Sequence, residues 1–217
     1  MVRDTALVVR DTALVVRDTA LVVRDTARML NNDGPVRPRV VLIGPPGSGK
    51  TTVGRVLAEL LGVELRDTDQ VIEVQQGQSI SDIFMDVGEP WFRELERAEV
   101  ATSLCSHAGV LSLGGGAVMD PMTAAALIGH TVVFLEVGIA DAAKRVGFDR
   151  SRPLLALNPR AQWTRMMEVR RPTYERLATF TVQTAGRTPQ DLATEIAQRL
   201  DDQNDDSIRS DPGPTDE

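Results

Sequence analysis

The stretch of this sequence with the clearest chemistry is Gly44-Pro45-Pro46-Gly47-Ser48-Gly49-Lys50-Thr51. It has the G-x-x-x-x-G-K-[ST] pattern of a phosphate-binding loop. Its glycines let the backbone curl until successive N–H groups point at one phosphate, and the N-terminus of a following helix adds its positive end. Lys50 can place a charge on a transferred phosphoryl group, and the Thr51 hydroxyl can hold Mg²⁺. On this reading Gly47, Ser48, Gly49, Lys50, Thr51 and Thr52 contact a nucleoside triphosphate. A chance Gly/Pro turn carrying a lysine is disfavoured. An apolar run, Val40–Ile43, precedes the loop, and a helical stretch from Lys50 to Leu61, closed by Gly62, follows it. The loop alone does not say what becomes of the phosphate.

Carboxylates, guanidinium groups and glycines recur further along. Asp67 and Asp69 follow a second apolar run, Val63–Arg66. In an extended segment, residues two apart face the same side. One carboxylate could then reach a metal ion while the other accepts a proton from an attacking hydroxyl. The same Asp-x-Asp pattern equally describes a solvated turn or a helix cap. Arg93 and Arg170 each offer a planar fork that matches a carboxylate, although Arg93 could also be a surface residue paired with Glu96 three positions on. Gly114, Gly115 and Gly116 end a third apolar run and allow backbone to approach a ligand closely. Arg152 lies in a segment, Gly147–Leu157, with the composition of a lid. A guanine clamp of the Asn-Lys-x-Asp type is absent from the sequence, which excludes an ordinary GTPase.

Five elements behind the phosphate loop, in order, carry a specific resemblance. They are Asp67-Thr68-Asp69 with Ile72-Glu73; Gly88-Glu89-Pro90-Trp91-Phe92-Arg93-Glu94-Leu95-Glu96; Leu113-Gly114-Gly115-Gly116-Ala117; Arg152-Pro153-Leu154-Leu155; and Arg170-Arg171-Pro172-Thr173-Tyr174. From about Arg39 to Leu200 the chain resembles the shikimate kinases, small kinases related to those that phosphorylate nucleoside monophosphates. The resemblance implies ATP-dependent phosphorylation of shikimate to shikimate 3-phosphate, in the route to chorismate and the aromatic amino acids. It implies Mg²⁺ held by Thr51 and Asp67, and ATP as co-substrate. It places Asp69, Arg93, Gly114, Gly115, Gly116 and Arg170 on shikimate, and Asp69 as the base. Lys50 and Arg152 stabilise charge on the transferred group. Arg145, Arg152, Arg187 and Pro189 fall at nucleotide-binding positions. A kinase for another small anion such as gluconate, and a nucleotide-binding regulator without catalysis, are the alternatives.

These residues need a frame to hold them. Strand-like runs at Val40–Ile43, Val63–Arg66, Val110–Leu113, Thr131–Glu136 and Thr179–Gln183 alternate with helical stretches at Lys50–Leu61, Glu89–Cys105, Pro121–Ile128, Ile139–Val146, Arg160–Arg170 and Pro189–Leu200. Such alternation predicts a three-layer α/β/α fold around a five-stranded parallel sheet, of the P-loop NTPase type, with a lid loop. Ligands in such sheets bind at the carboxyl ends of the strands.

The ends of the chain differ from its middle. VRDTALV occurs three times between residues 2 and 22, and VRDTA follows at 23–27. Its apolar residues clump once per repeat, unlike the two spaced seam positions of a coiled coil. Residues 1–38 are expected to be an unstructured extension and linker, 39–200 a kinase domain, and 201–217 a disordered acidic tail. The formal charge is −7, of which the last seventeen residues contribute −6. The rest is therefore close to neutral, with no basic field for nucleic acid or a membrane surface. A single cysteine, Cys105, permits no intrachain disulfide and fits a reducing cytoplasm. It is expected to be a small buried side chain. A monomer is expected. Trp91 and Phe92 are candidates to wall the acceptor pocket.

Overall fold

The computed structural model describes residues 36–146 and 159–209, and the side chains of 36–142 and 160–203. The repeat at 2–27, the proposed lid with Arg152, the side chain of Arg145, and residues 210–217 lie outside them.

Among the described residues five strands form one parallel sheet in the order β2-β3-β1-β4-β5. The strands are β1 (Val40–Ile43), β2 (Leu65–Asp67), β3 (Val110–Ser112), β4 (Val132–Glu136) and β5 (Phe180–Gln183). The helices are α1 (Lys50–Leu61), α2 (Thr68–Gln76), α3 (Ile80–Asp86), α4 (Glu89–Ser106), α5 (Pro121–Ala126), α6 (Ile139–Val146), α7 (Pro159–Leu177) and α8 (Pro189–Arg209). Every residue of β1 is buried, as an uninterrupted apolar strand covered on both faces requires. Because successive side chains alternate, Val41 and Ile43 join one core with Leu111, Phe134, Trp163, Met167 and Tyr174. Val40 and Leu42 join the other with Leu57, Leu135, Leu192 and Ile196. The order of strands reverses beside β1, and the crevice at its carboxyl end receives the phosphate loop.

Four expectations are corrected. Asp69 is not in an extended segment. Asp67 ends β2 and caps a helix, α2, its carboxylate accepting from the backbone N–H groups of Asp69 and Gln70. An N-cap satisfies donors that the first turn leaves open, so the chain turns helical at once and Asp69 sits in the first turn. The segment Arg170–Tyr174 does not follow a helix but lies within α7, which continues through Pro172. An interior proline costs roughly 3 kcal/mol. Burial of Trp163 and Met167 before it and Tyr174 after it offsets that cost. The acidic segment is helical as far as Arg209, anchored by the buried Ile196 and Leu200. Cys105 is exposed, because α4 buries the face bearing Phe92, Glu96, Glu99, Val100, Ser103 and Leu104.

Helices α2 and α3 have no counterpart in the sequence reading. With α4 they form a small lobe around Ile72, Ile83 and Phe92.

Candidate functional site

Three glycines of the phosphate loop adopt positive φ: 145° at Gly44, 82° at Gly47 and 92° at Gly49. A Cβ on Gly44 would also stand 2.7 Å from the Leu135 carbonyl oxygen, closer than any real contact. Gly49 caps α1 without a side chain, which leaves the first-turn N–H groups open to an anion. The ammonium of Lys50 donates to the carbonyls of Gly44 at 2.9 Å and Pro45 at 3.1 Å, folding back over the loop. Gly47, Gly49, Lys50, Thr51 and Thr52 line a cavity of about 790 Å³ together with Asp67, Asp69, Arg187 and Pro189. Ser48 is fully buried, and its hydroxyl sits 3.0 Å from where a Gly44 Cβ would be. Arg187 is held by an ion pair to Glu195 and by the Asp191 carbonyl at 3.3 Å.

At the edge of this cavity the Thr51 hydroxyl donates to Asp67 Oδ2 at 2.6 Å, and the Ser112 hydroxyl donates to the same oxygen at 2.9 Å. The carboxylate is thus both a helix cap and the centre of an oxygen-rich corner. Two hydroxyls and a carboxylate are the hard ligands that suit Mg²⁺.

A second cavity, about 590 Å³, opens against the small lobe. Glu73, Phe84, Phe92, Arg93, Trp163 and Arg170 line it, and Pro46, Asp69 and Gly115 line both cavities. Arg93 and Arg170, far apart in sequence, therefore share one pocket, with Asp69 at its boundary with the nucleotide side. Arg93 gives Nε and one terminal nitrogen to Glu89 at 3.1 and 2.8 Å. The other donates to Glu96 at 2.6 Å, so the sequence-expected pair with Glu96 exists and aims the fork. Its plane lies 5.4 Å from the Phe92 ring centroid, within cation–π range. Burial weakens the Arg93 cation, but the charge and hydrogen bond of Glu96, with help from Glu89, more than compensate and raise its pKa. For Glu96 burial wins. It lifts the carboxyl above its usual range despite Arg93 and Arg170.

Of the triple glycine, Gly115 lines both cavities and Gly116 the second, while Gly114 lies behind them. A Cβ on Gly114 would lie 2.4 Å from both Asp69 Oδ1 and Glu96 Oε1. On Gly115 it would lie 2.9 Å from Pro46 Cδ, and on Gly116 2.5 Å from Arg93. A side chain at Gly114 or Gly116 would have to displace Asp69, Glu96 or Arg93, and one at Gly115 would press on the Pro46 ring. The loop is pinned by Thr68, whose hydroxyl accepts from the Gly114 N–H at 3.0 Å, and by α7, through Arg170 and Tyr174 on the Gly115 carbonyl.

Comparison with known proteins gives the same direction. The family model described as shikimate kinase matches residues 46–201. A shikimate kinase of Salinispora tropica is 61% identical over 163 residues, covering 75% of this chain and 98% of that one. One from Thermobifida fusca is 57% identical over 164 residues, covering 76% and 95%. The chain belongs to the shikimate kinase family. Among solved members of that family, the shikimate kinase from Acinetobacter baumannii in complex with shikimate superposes with a TM-score of 0.73. It is 36% identical, covering 77% of this chain and 94% of that one.

Several side chains of this shikimate kinase family member escaped the sequence reading. Phe84 lines the second cavity from α3, and Glu73, known from the sequence only as a motif residue, lines it from α2. A signal existed for α3: the Ser79 hydroxyl accepts from Asp82 N–H, the cap–acid spacing that opens a helix. Phe92 lines the pocket as expected. Trp91 does not, and is 39% exposed. His107 is buried with its ring Nε2 on the Val110 carbonyl at 3.0 Å. Burial and, secondarily, Arg37 lower the pKa of His130. Among the described residues no group of three His, Cys, Asp or Glu side chains could hold a metal ion, so a cation at Thr51 and Asp67 would complete its shell with water or phosphate oxygens. No helix among the described residues is long and apolar enough to cross a membrane.

Proposed function

We infer that this chain transfers the γ-phosphoryl group of ATP to a ring hydroxyl of shikimate, giving shikimate 3-phosphate and ADP. One observation carries the reading: a phosphate-loop cavity and a two-arginine cavity meet at Asp69. A carboxylate at that junction stands between donor and acceptor.

In this mechanism the protein contributes position and charge with little covalent chemistry. The loop amides and Lys50 hold the β- and γ-phosphates. Thr51 and Asp67 would hold Mg²⁺, whose charge offsets that of the phosphate oxygens. Arg187 and Pro189 frame the nucleotide, with Arg145 as a further candidate. Arg93 and Arg170 take the acceptor carboxylate, for which Arg93 exchanges its contact with Glu89. Asp69 orients the attacking hydroxyl and accepts its proton. Gly115 sets the acceptor ring against the phosphate loop. Arg152, which lies outside the described residues, would add charge at the transferred group. The accompanying proposal is a cytoplasmic monomer without nucleic-acid or membrane partners, consistent with a nearly neutral body.

An ADP-coupled assay with shikimate and with gluconate tests the reading. Shikimate is expected to be turned over and gluconate not. Turnover of gluconate alone would replace the acceptor, and ATP binding without ADP release on either would replace the enzyme by a regulator.

A further inference from the structure

Tyr174 lies one helical turn beyond Arg170 on α7, and residues at this spacing share a face. It is completely buried, with its ring stacked on Phe134 at 5.0 Å between centroids and 23° between planes. Its hydroxyl donates to the carbonyl oxygen of Gly115. Arg170 donates to the same oxygen at 3.1 Å. A carbonyl has two lone pairs, and here both donors come from α7.

That carbonyl belongs to the peptide joining Gly115 to Gly116. On its near side the Gly114 N–H is held by the Thr68 hydroxyl at 3.0 Å, and on its far side Gly116 faces the guanidinium of Arg93 closely enough that an added Cβ would stand 2.5 Å from it. Rotation of this one peptide would shift Gly116, which lines the second cavity and not the first. It would also redirect Arg170, which must spare donors for the acceptor. With the phenol in place, the peptide is tethered without drawing further on the guanidinium.

We propose that Tyr174 is a positioning residue for the phosphoryl acceptor. Its hydroxyl fixes the Gly115 peptide, and through it the aim of Arg170. Burial, only partly countered by Arg170, pushes the phenol up to about 12, so it remains an O–H donor throughout the working range of the enzyme. The inference rests on the reading of shikimate as acceptor.

The test is Tyr174→Phe in the full chain, which keeps the ring and its stack and deletes one O–H. The KM for shikimate should rise about tenfold, the scale of one buried hydrogen bond lost. The KM for ATP should stay within about twofold and kcat within about threefold, because Arg170, whose aim the phenol steadies, lines the second cavity and not the nucleotide one. Thermal shifts give a second readout that does not depend on turnover. Shikimate should stabilise the variant less than the parent, while ATP stabilises both equally. An unchanged shikimate KM, or equal rises for both substrates, overturns the proposal, the second because it marks general loosening. Failure of the parent enzyme on shikimate would instead remove the functional reading and this inference with it.

Discussion

The two cavities are built on opposite principles. On the nucleotide side, the single stretch from Pro46 to Val53 supplies about half of the wall, and much of what it presents to a ligand is backbone: amides, a helix terminus and glycines at positive φ. On the acceptor side the wall is assembled from side chains on α2, α3, α4 and α7, spread from Asp69 to Arg170. Phosphate is recognised by a geometry that a short motif encodes whole. A small carbocyclic acid is recognised by forks and rings that only the completed fold brings together. A phosphate cradle can therefore serve many kinases, whereas on the proposed function the choice of acceptor would reside in the small lobe and α7.

If the two halves are separable, damage to each should leave the other intact. Lys50→Ala should show the largest effect, a fall in kcat of at least the roughly 10²–10³-fold seen when one preorganised charge-stabilising donor is removed. Shikimate should still bind with near-parental affinity, as measured by quenching of Trp163, which lines the acceptor cavity. Loss of shikimate binding in parallel would mean that the cradle and the acceptor pocket form one unit. Asp69→Asn strikes the junction. It should cost kcat about 10²-fold, the low end for a positioned base, with the KM for ATP unchanged. Turnover at the parental rate would show that Asp69 orients without taking the proton.

The same contrast governs how much the sequence disclosed. The helix Lys50–Leu61 and its Gly62 stop follow from local signals, and the structure has the same bounds, with Gly62 at φ 65°. The strands follow from apolar runs because both faces of the sheet are covered. Arg93, Arg170 and the glycine loop emerged only as members of an ordered set of motifs. Nothing local says that residues 77 positions apart share a pocket. Helix α2 was hidden because Asp67 accepts from the Thr51 hydroxyl and caps a helix at once, and an Asp-x-Asp pattern does not disclose the cap. The length of α7 was hidden by Pro172, a breaker by local rules that tertiary burial overrides. Tyr174 stood in the sequence only as the last residue of a motif, with no role attached, since its contact depends on meeting Gly115.

A smaller effect sharpens the comparison on the acceptor side. Glu96 is 4% exposed as a side chain and has around it the cations Arg93 and Arg170, the acids Asp120, Glu89 and Asp69, and the phenol of Tyr174. Its pKa is raised, first by burial and only secondarily by Asp120, against the pull of Arg93 and Arg170. A carboxyl whose folded pKa exceeds its unfolded value contributes stability that is complete below the unfolded value. That contribution is lost as pH rises through the folded one. Glu96→Gln removes the titration. Thermal unfolding of the two proteins between about pH 4 and pH 7 should therefore show the parent losing ground to the variant as pH rises, whatever the offset between them at the acid end. A gap that moves the other way would mean that the cationic field of the pocket outweighs burial at Glu96. The acceptor side would then be organised, like the nucleotide side, around charge held ready for an anion.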